Sequence, residues 1–312
     1  MTSGRRIGAA HPAVGVVVAS VLFGTSGTAR SFAPESASSL SIAGVRLMVG
    51  AIPLLVYGMV TDRAGRPRLR VEAVAAGLAM MLFQVCFFSS MEHSGVAVGT
   101  MVTIGSGPVI AAALDAATGR RPSARVARAL LAALAGLAML VFGTPADADG
   151  GFSALGTAFG FAAGACYAVY TMLCKRLLES GWSGTWTMAW TFAVSAVSSV
   201  VLVAPTSTEW LGTPSGPVTV AYLGLVTISV AYLLYARSLS RLSGSMVVTL
   251  TLVEPVTATS LGALVLGEKI GVVSWLGAAI VVGALIVVGT GAALEPSPGA
   301  VAEPGPADQL PG

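Results

Sequence analysis

Residues 246–269, MVVTLTLVEPVTATSLGALVLGEK, form an apolar stretch of membrane-spanning length with a carboxylate, Glu254, near its middle. A charge at bilayer depth costs roughly 2.5–3.5 kcal/mol on insertion scales, so such a residue usually serves a function. Pro255 cannot donate a backbone hydrogen bond, and its ring displaces the carbonyl of Thr251. Lipid tolerates this break only where it faces protein or a water-filled cavity. The stretch therefore predicts half of a translocation site; the alternative is a kinked helix whose buried, protonated glutamate ties two helices together.

The composition excludes a soluble globular domain. Of the 312 residues, 55% are hydrophobic and 10% are charged, and the mean hydropathy is +0.84. A soluble domain carries roughly 25% charged residues. Since helices satisfy their own backbone hydrogen bonds in lipid, we expect an all-α integral membrane protein. Cys86, Cys166 and Cys174 lie in or beside apolar runs, so we expect no disulfide framework.

Ten apolar runs can be placed on the chain, each near the roughly 20 residues that a spanning helix needs. They cover residues 13–32, 40–60, 72–91, 95–116, 128–144, 153–173, 185–204, 217–236, 245–266 and 272–291. The sequence therefore predicts ten transmembrane helices.

Lysine and arginine are unevenly distributed between the segments that connect these runs. Fourteen of the 17 fall in alternate segments, beginning with the N-terminal one. Because cytoplasmic segments carry the excess of these residues, both termini are expected in the cytoplasm. The excess of Arg over Lys, with much Ala, Gly and Val, suggests a bacterial genome, so the expected location is a bacterial cell membrane. Residues 1–12 would then be a cytoplasmic segment and 145–152 an outer linker. Residues 292–312, rich in Pro and Gly, would be a disordered cytoplasmic tail.

The two halves of the chain resemble each other at a shift of 147 residues. Pro108 then falls on Pro255, and five of the nine residues in 108–116 match their counterparts. Because five spans per half is an odd number, the halves must enter the membrane from opposite sides. The pattern predicts two inverted five-helix repeats, 13–144 and 153–291. Paired interrupted helices at matching places in such repeats are typical of transporter sites.

The run 252–268, LVEPVTATSLGALVLGE, resembles the signature of the EamA family of the drug/metabolite transporter superfamily. Glu254 and Pro255 stand at its EP pair, followed by Ala258 and by the Leu-Gly-Glu of 266–268. Arg46 in span two matches a basic position common in that family. The resemblance implies an inner-membrane carrier of small metabolites, most often an exporter, that works by alternating access.

The first half departs from this signature. Gly107 takes the position that corresponds to Glu254, and Arg120-Arg121 replaces Gly267-Glu268. Any coupling through an acid would therefore be one-sided.

Two polar side chains are expected to accompany Glu254. Arg46 lies about 9 Å below the outer boundary at 1.5 Å per residue, where it pairs with Glu254, shares a substrate with it, or snorkels to the interface. Gln84 in span three is either a site residue or a hydrogen-bonding link between helices. Asp115, near the inner end of span four, is expected to pair with Arg120 or Arg121 or to belong to an inner gate.

Aromatic residues supply the remaining candidates. Gly156, Gly160 and Gly164 form a doubled GxxxG pattern in span six, which favours close helix packing. Tyr167 and Tyr170 extend nearly the same face and either line a cavity where the packed helices part or fill space. Trp190 in span seven lies deeper than an interface anchor and is a further cavity candidate.

The sequence thus predicts a secondary transporter that exports small metabolites such as amino acids or related compounds, with proton coupling as one option. Uptake or a passive channel are the alternatives. An enzyme is disfavoured, because the chain has only two histidines and no clustered catalytic groups. No Walker-type loop and no metal-ligand spacing is present, so we expect no cofactor and no metal. The expected partners are a small-molecule substrate and the lipid bilayer, without nucleic acid; a homodimer stays open.

Overall fold

The computed structural model describes residues 12–62, 67–117, 119, 123–142, 153–267 and 270–292. Every regular element in these ranges is helical. The segment before residue 12, the linker 145–152, the tail after 292, and Arg120, Arg121 and Glu268 lie outside the described residues.

Twelve α-helices are described in order along the chain, together with one 3₁₀ turn and one π-helix. The α-helices are α1 (Pro12–Ser31), α2 (Ser39–Thr61), α3 (Val71–Ala117), α4 (Ala124–Phe142), α5 (Ala154–Glu179), α6 (Gly184–Ser198), α7 (Val200–Val203), α8 (Ser215–Ala221), α9 (Ala231–Leu239), α10 (Gly244–Leu250), α11 (Val253–Val265) and α12 (Val272–Ala292). The 3₁₀ turn is Glu209–Gly212, and the π-helix, Tyr222–Val230, joins α8 to α9.

Seven helical segments of the described chain are long and apolar enough to cross a membrane. They are Pro12–Ser31, Ser39–Thr61, Val71–Met91, Ala154–Glu179, Gly184–Val203, Ser215–Leu239 and Gly244–Val265. Val102–Ala117 and Val272–Val288 are apolar but shorter. The all-α, multi-span membrane fold predicted from composition is thereby confirmed, with seven clear spanning helices where the sequence predicts ten.

Helix α3 folds back on itself. Eight residues of straight helix would separate Met91 from Gly99 by about 12 Å, yet a Cβ on Gly99 would lie 2.7 Å from the backbone nitrogen of Met91. The chain therefore reverses between them. Its two arms, Val71–Met91 and Val102–Ala117, correspond to the third and fourth predicted spans.

The glycine face of α5 packs against both arms of α3. A Cβ on Gly160 would lie 2.7 Å from Val102 Cγ1 in the second arm and 2.9 Å from Ser90 Oγ in the first. Ser90 Oγ also donates a 2.7 Å hydrogen bond to the carbonyl of Gly156. Only residues without a side chain allow the helices to approach so closely.

Helix α2 crosses the π-helix at a second pair of glycines. A Cβ on Gly50 would lie 2.9 Å from the carbonyl oxygen of Gly224, and one on Gly224 would lie 2.6 Å from Val49 Cγ1. Ser229 Oγ donates to the carbonyl of Gly50 at 2.8 Å. The crossing fixes α2 one turn after Arg46.

Helices α4 and α12 pack against each other along much of their length. Their closest approach is at Gly136 and Gly277, where a Cβ on Gly136 would lie 2.8 Å from the carbonyl oxygen of Gly277. Further along α12, a Cβ on Gly283 would meet no atom within 4 Å. The helices are therefore closest at Gly136 and Gly277, whereas Gly283 lies on the exposed side of α12.

The α5 packing predicts the effect of replacing Gly160. Gly160→Val would place methyl groups against Val102 and Ser90, and overpacking of this kind costs about 1–3 kcal/mol. We expect a lower thermal midpoint for the detergent-purified protein. Ala162→Val, on the exposed side of the same helix, is the matched control; equal midpoints for the two variants would contradict the packing described.

Candidate functional site

The helix that carries Glu254 is interrupted just before it. Helix α10 ends at Leu250, Thr251 and Leu252 form a turn, and α11 begins at Val253. The amide of Glu254 donates to Thr251 O at 2.9 Å, a tightened bond that avoids the clash of the Pro255 ring with that carbonyl. Thr251 Oγ1 turns back to donate to Val248 O at 2.7 Å. Glu254 is thereby fixed in the first turn of α11.

Pro108, the counterpart of Pro255 at the 147-residue shift, lies within the second arm of α3. The residues on both sides of Pro108 are helical. At Pro255 the interruption lies at Thr251 and Leu252; an interruption at Pro108 stays a prediction.

A cavity of about 380 Å³ lies beside the interrupted helix. Its wall is formed by α1, α2, both arms of α3, α5, α6, the π-helix, α9, α10 and α11. It extends to Arg30 at the end of α1, Ser39 at the start of α2, and Met91 and Thr100 on either side of the α3 reversal. That end of the cavity is where α1, α2 and the α3 arms terminate.

Polar side chains from three elements face this cavity. Arg46 Nη2 donates to Gln84 Oε1 at 3.2 Å, and both residues line the wall together with Glu254. Arg46 and Glu254 do not approach each other within 4.0 Å. The cavity therefore holds a basic and an acidic side chain that do not pair directly.

Two buried polar atoms at the cavity lack a hydrogen-bond partner within the described residues. They are Arg46 Nε and Thr103 Oγ1, and both residues belong to the wall. An unsatisfied buried donor costs about 1–3 kcal/mol. A solute or water that accepts from these atoms would recover that cost.

The rest of the wall is aromatic and aliphatic. The rings of Phe83 and Phe87 stack with centroids 5.7 Å apart, and Phe83 lies 5.5 Å from the ring of Tyr167. A solute with an apolar body and a polar or charged head matches this division of the surface.

A layer of aromatic rings closes the other end of the cavity. Phe192 and Tyr232 lie at the cavity surface with ring centroids 4.5 Å apart. Behind them Tyr170 and Tyr235 are fully buried. The Tyr235 hydroxyl is 2.7 Å from Thr171 Oγ1, and Tyr170 donates to Met188 Sδ at 3.4 Å.

Two buried charges lie beyond this aromatic layer and hold the turn between α9 and α10. Lys175 Nζ donates to Leu239 O, the last residue of α9, at 2.8 Å. Asp115 Oδ2 accepts from the amide of Ser245, at the start of α10, at 2.9 Å. Each charge is opposite in sign to the end of the helix dipole that it contacts, so both contacts are stabilising. Asp115 thus contacts the end of another helix; its expected partners Arg120 and Arg121 are outside the described residues.

The structure brings most of the predicted residues together. Arg46, Gln84, Tyr167, Thr251, Glu254 and Pro255 all line the cavity. Tyr170 lies behind its wall, because its hydroxyl is directed to Met188. Trp190 also lies elsewhere than expected, because its indole donates to Pro67 O at 3.2 Å, in the connection before α3.

Other cavity residues were not identified from the sequence, among them Thr103, Thr227 and Tyr232. Thr103 precedes Gly107 by one helical turn, so it shares a face with the position that corresponds to Glu254. This spacing could have identified Thr103 as a cavity residue. Thr227 lies in the π-helix, which no sequence pattern indicated.

No group of three or more His, Cys, Asp or Glu side chains that could hold a metal ion occurs in the ranges that the structure covers.

Known proteins resemble this chain over nearly its whole length. It is 34% identical to "Uncharacterized transporter YwfM" of Bacillus subtilis over 88% of this chain and 92% of that one. It is 25% identical to "Uncharacterized inner membrane transporter YicL" of Salmonella typhimurium over 88% and 93%. A solved crystal structure superimposes with a TM-score of 0.77, covering 90% of this chain and 97% of that chain at 19% identity, which supports the fold.

The family comparison identifies the same class. The profile of the EamA-like transporter family matches residues 12–142 and again residues 154–290. This chain is therefore a multi-pass membrane protein that belongs to the EamA-like transporter family, within the drug/metabolite transporter superfamily.

Proposed function

We propose that this transporter is a secondary carrier that exports small polar or amphipathic metabolites, such as amino acids or related compounds, by alternating access. The observation that carries the proposal is the placement of Arg46, Gln84 and Glu254 in one cavity that is closed at one end. Charges at bilayer depth are rarely idle. The closed end disfavours a continuous pore and favours a carrier.

We further propose ten spans arranged as two inverted five-helix repeats, 13–144 and 153–291. Three observations support this arrangement: the reversal of α3, the two separate family matches, and the position of Gly107 and Glu254, related by the 147-residue shift, in the same cavity wall. With the N-terminus in the cytoplasm, the cavity extends towards the outer face.

The orientation predicts the outcome of reporter fusions. Connecting segments rich in lysine and arginine alternate with segments that hold few of them. Fusions at Gly4 and Gly299 should therefore both report a cytoplasmic location. A fusion at Asp149 should report the periplasm. A periplasmic signal from Gly299 would remove the odd-numbered inverted repeat.

The cavity chemistry supports a substrate that carries both charges. Arg46 and Thr103 each retain an unpartnered donor for a carboxylate, while Glu254 in the same wall would accept from an ammonium group. The stacked rings of Phe83 and Phe87 would contact an apolar substituent.

We propose Glu254 as the group that couples transport to protons. Burial and the Arg46 charge act on its ionisation in opposite directions. The exposure of the Glu254 carboxyl to water would change when the cavity opens to one side of the membrane or the other. A carboxyl under these competing influences takes up a proton in one state and releases it in the other.

Replacing the Glu254 carboxyl tests its role in proton coupling separately from a role in folding. Glu254→Gln keeps shape and hydrogen-bonding capacity but cannot ionise, so it should reach the membrane at wild-type levels and lose the pH dependence of transport in reconstituted vesicles. Glu35→Gln, an exposed position, is the matched control. Unchanged rate and pH dependence in Glu254→Gln would exclude it as the coupling group, whereas loss of the protein from the membrane would favour a structural role.

The buried bonds beyond the aromatic layer would keep the cytoplasmic end closed. A hydrogen bond to a charged group contributes about 1.5–3 kcal/mol. Lys175→Met keeps the side-chain stem but loses the bond to Leu239 O, so we expect roughly 10- to 140-fold more of the inward-open state.

Cys174 provides the readout, because it is fully buried next to this end of the cavity. In a Cys86→Ser/Cys166→Ser background, N-ethylmaleimide should label Cys174 slowly, and Lys175→Met should accelerate labelling. Arg176→Met, which removes an exposed neighbouring charge, should leave the rate unchanged. Equal rates in all three proteins would contradict a closing role for Lys175.

A further inference from the structure

A second recess lies between α4 and α12 and shares no residue with the cavity. It is a groove of about 360 Å³. Arg125, Arg128, Ala129 and Ala132 form its α4 side. Their spacing of three, four and seven residues places them on one face of that helix.

The α12 side is small and apolar, formed by Gly283, Ala284 and Val287. Away from the contact of Gly136 with Gly277, these small residues leave a recess along the seam between the two helices. Gly283 is exposed, and a Cβ added there would meet no atom within 4 Å.

The groove opens on the part of the bundle that faces the bilayer. Leu131 beside it is 68% exposed and Ile286 is 61% exposed, as expected for side chains that contact lipid tails. Arg125 and Arg128 are exposed in the first two turns of α4, where a spanning helix leaves the hydrocarbon region. One end of the groove is therefore cationic and the remainder is apolar.

We propose that the α4–α12 groove is a binding site for an anionic phospholipid. The two guanidinium groups would bind the phosphate, for which their planar donor geometry is well suited. One acyl chain would lie along Ala129, Ala132 and Gly283. Basic pockets between membrane helices bind anionic headgroups for the same reason, and the apolar trunk distinguishes a lipid from a free phosphate ion. This site depends on membrane insertion and is independent of the proposed transport reaction.

The arginines and the groove can be altered separately. Arg125→Gln/Arg128→Gln removes the charges and leaves the groove; Gly283→Leu fills the groove in open space and leaves the charges. The matched controls are Arg237→Gln/Arg241→Gln, which removes two exposed arginines elsewhere, and Ala162→Leu, which adds the same bulk to the exposed side of α5.

Binding is measured with the full-length protein by native mass spectrometry, titrating phosphatidylglycerol, phosphatidylcholine or inorganic phosphate. We expect phosphatidylglycerol to bind the wild-type protein and both controls in preference to phosphatidylcholine. Each arginine near an anionic headgroup contributes about fivefold, so the Arg125/Arg128 variant should bind roughly 30-fold more weakly. Gly283→Leu should also bind more weakly while keeping its net charge.

Three results would overturn the proposal. An equal loss of phosphatidylglycerol binding in the Arg237/Arg241 control would indicate that the lipid is attracted by the total positive charge of the protein and not by this site. Wild-type binding by Gly283→Leu would show that no acyl chain occupies the groove. Competition by inorganic phosphate at the same concentration as lipid would identify a simple anion site. Transport by the same variants is a separate measurement, so failure of this site and failure of the proposed function can be distinguished.

Discussion

The close approach of α5 to the two arms of α3 fixes three helical segments that line the cavity. At Gly156 and Gly164 a Cβ would lie 2.9 Å from a backbone atom of α3, and at Gly160 it would lie equally close to the Ser90 side chain. The packing continues beyond the glycines, because Ala168 and Ala111 are fully buried in one cluster. Between these contacts Tyr167 lines the cavity together with Gln84 and Thr103 of the α3 arms. The polar part of the wall is therefore held in place by a helix contact made of small residues.

The interrupted helix was predictable from the sequence because it involves residues that lipid penalises. A carboxylate followed by proline has few structural solutions in a membrane, and the sequence indicated the region of the break and its neighbour Thr251. Arg46 and Gln84 could be identified by the same reasoning. The fold class followed from composition, and the tight face of α5 followed from its glycine spacing.

Other features depend on which face of an apolar helix meets the cavity, and a sequence that is apolar all round does not specify that face. Tyr232 and Tyr170 are both tyrosines in spanning helices, yet one lies at the cavity surface and the other is buried behind it. The π-helix changes the direction in which the residues around Thr227 point, because its i→i+5 hydrogen bonds depart from the 3.6-residue repeat of an α-helix. The depth of Trp190 in its span was consistent with a cavity residue, but its indole donates to a carbonyl in the connection before α3.

The shortness of α10 has a mechanical consequence. Its seven residues span about 10 Å at 1.5 Å per residue. One end is held by Asp115, and the other is followed by the buried, hydrogen-bonded turn at Thr251 and Leu252. A helix this short has little length over which to bend. A tilt imposed at Ser245 would therefore also displace the turn of α11 that bears Glu254.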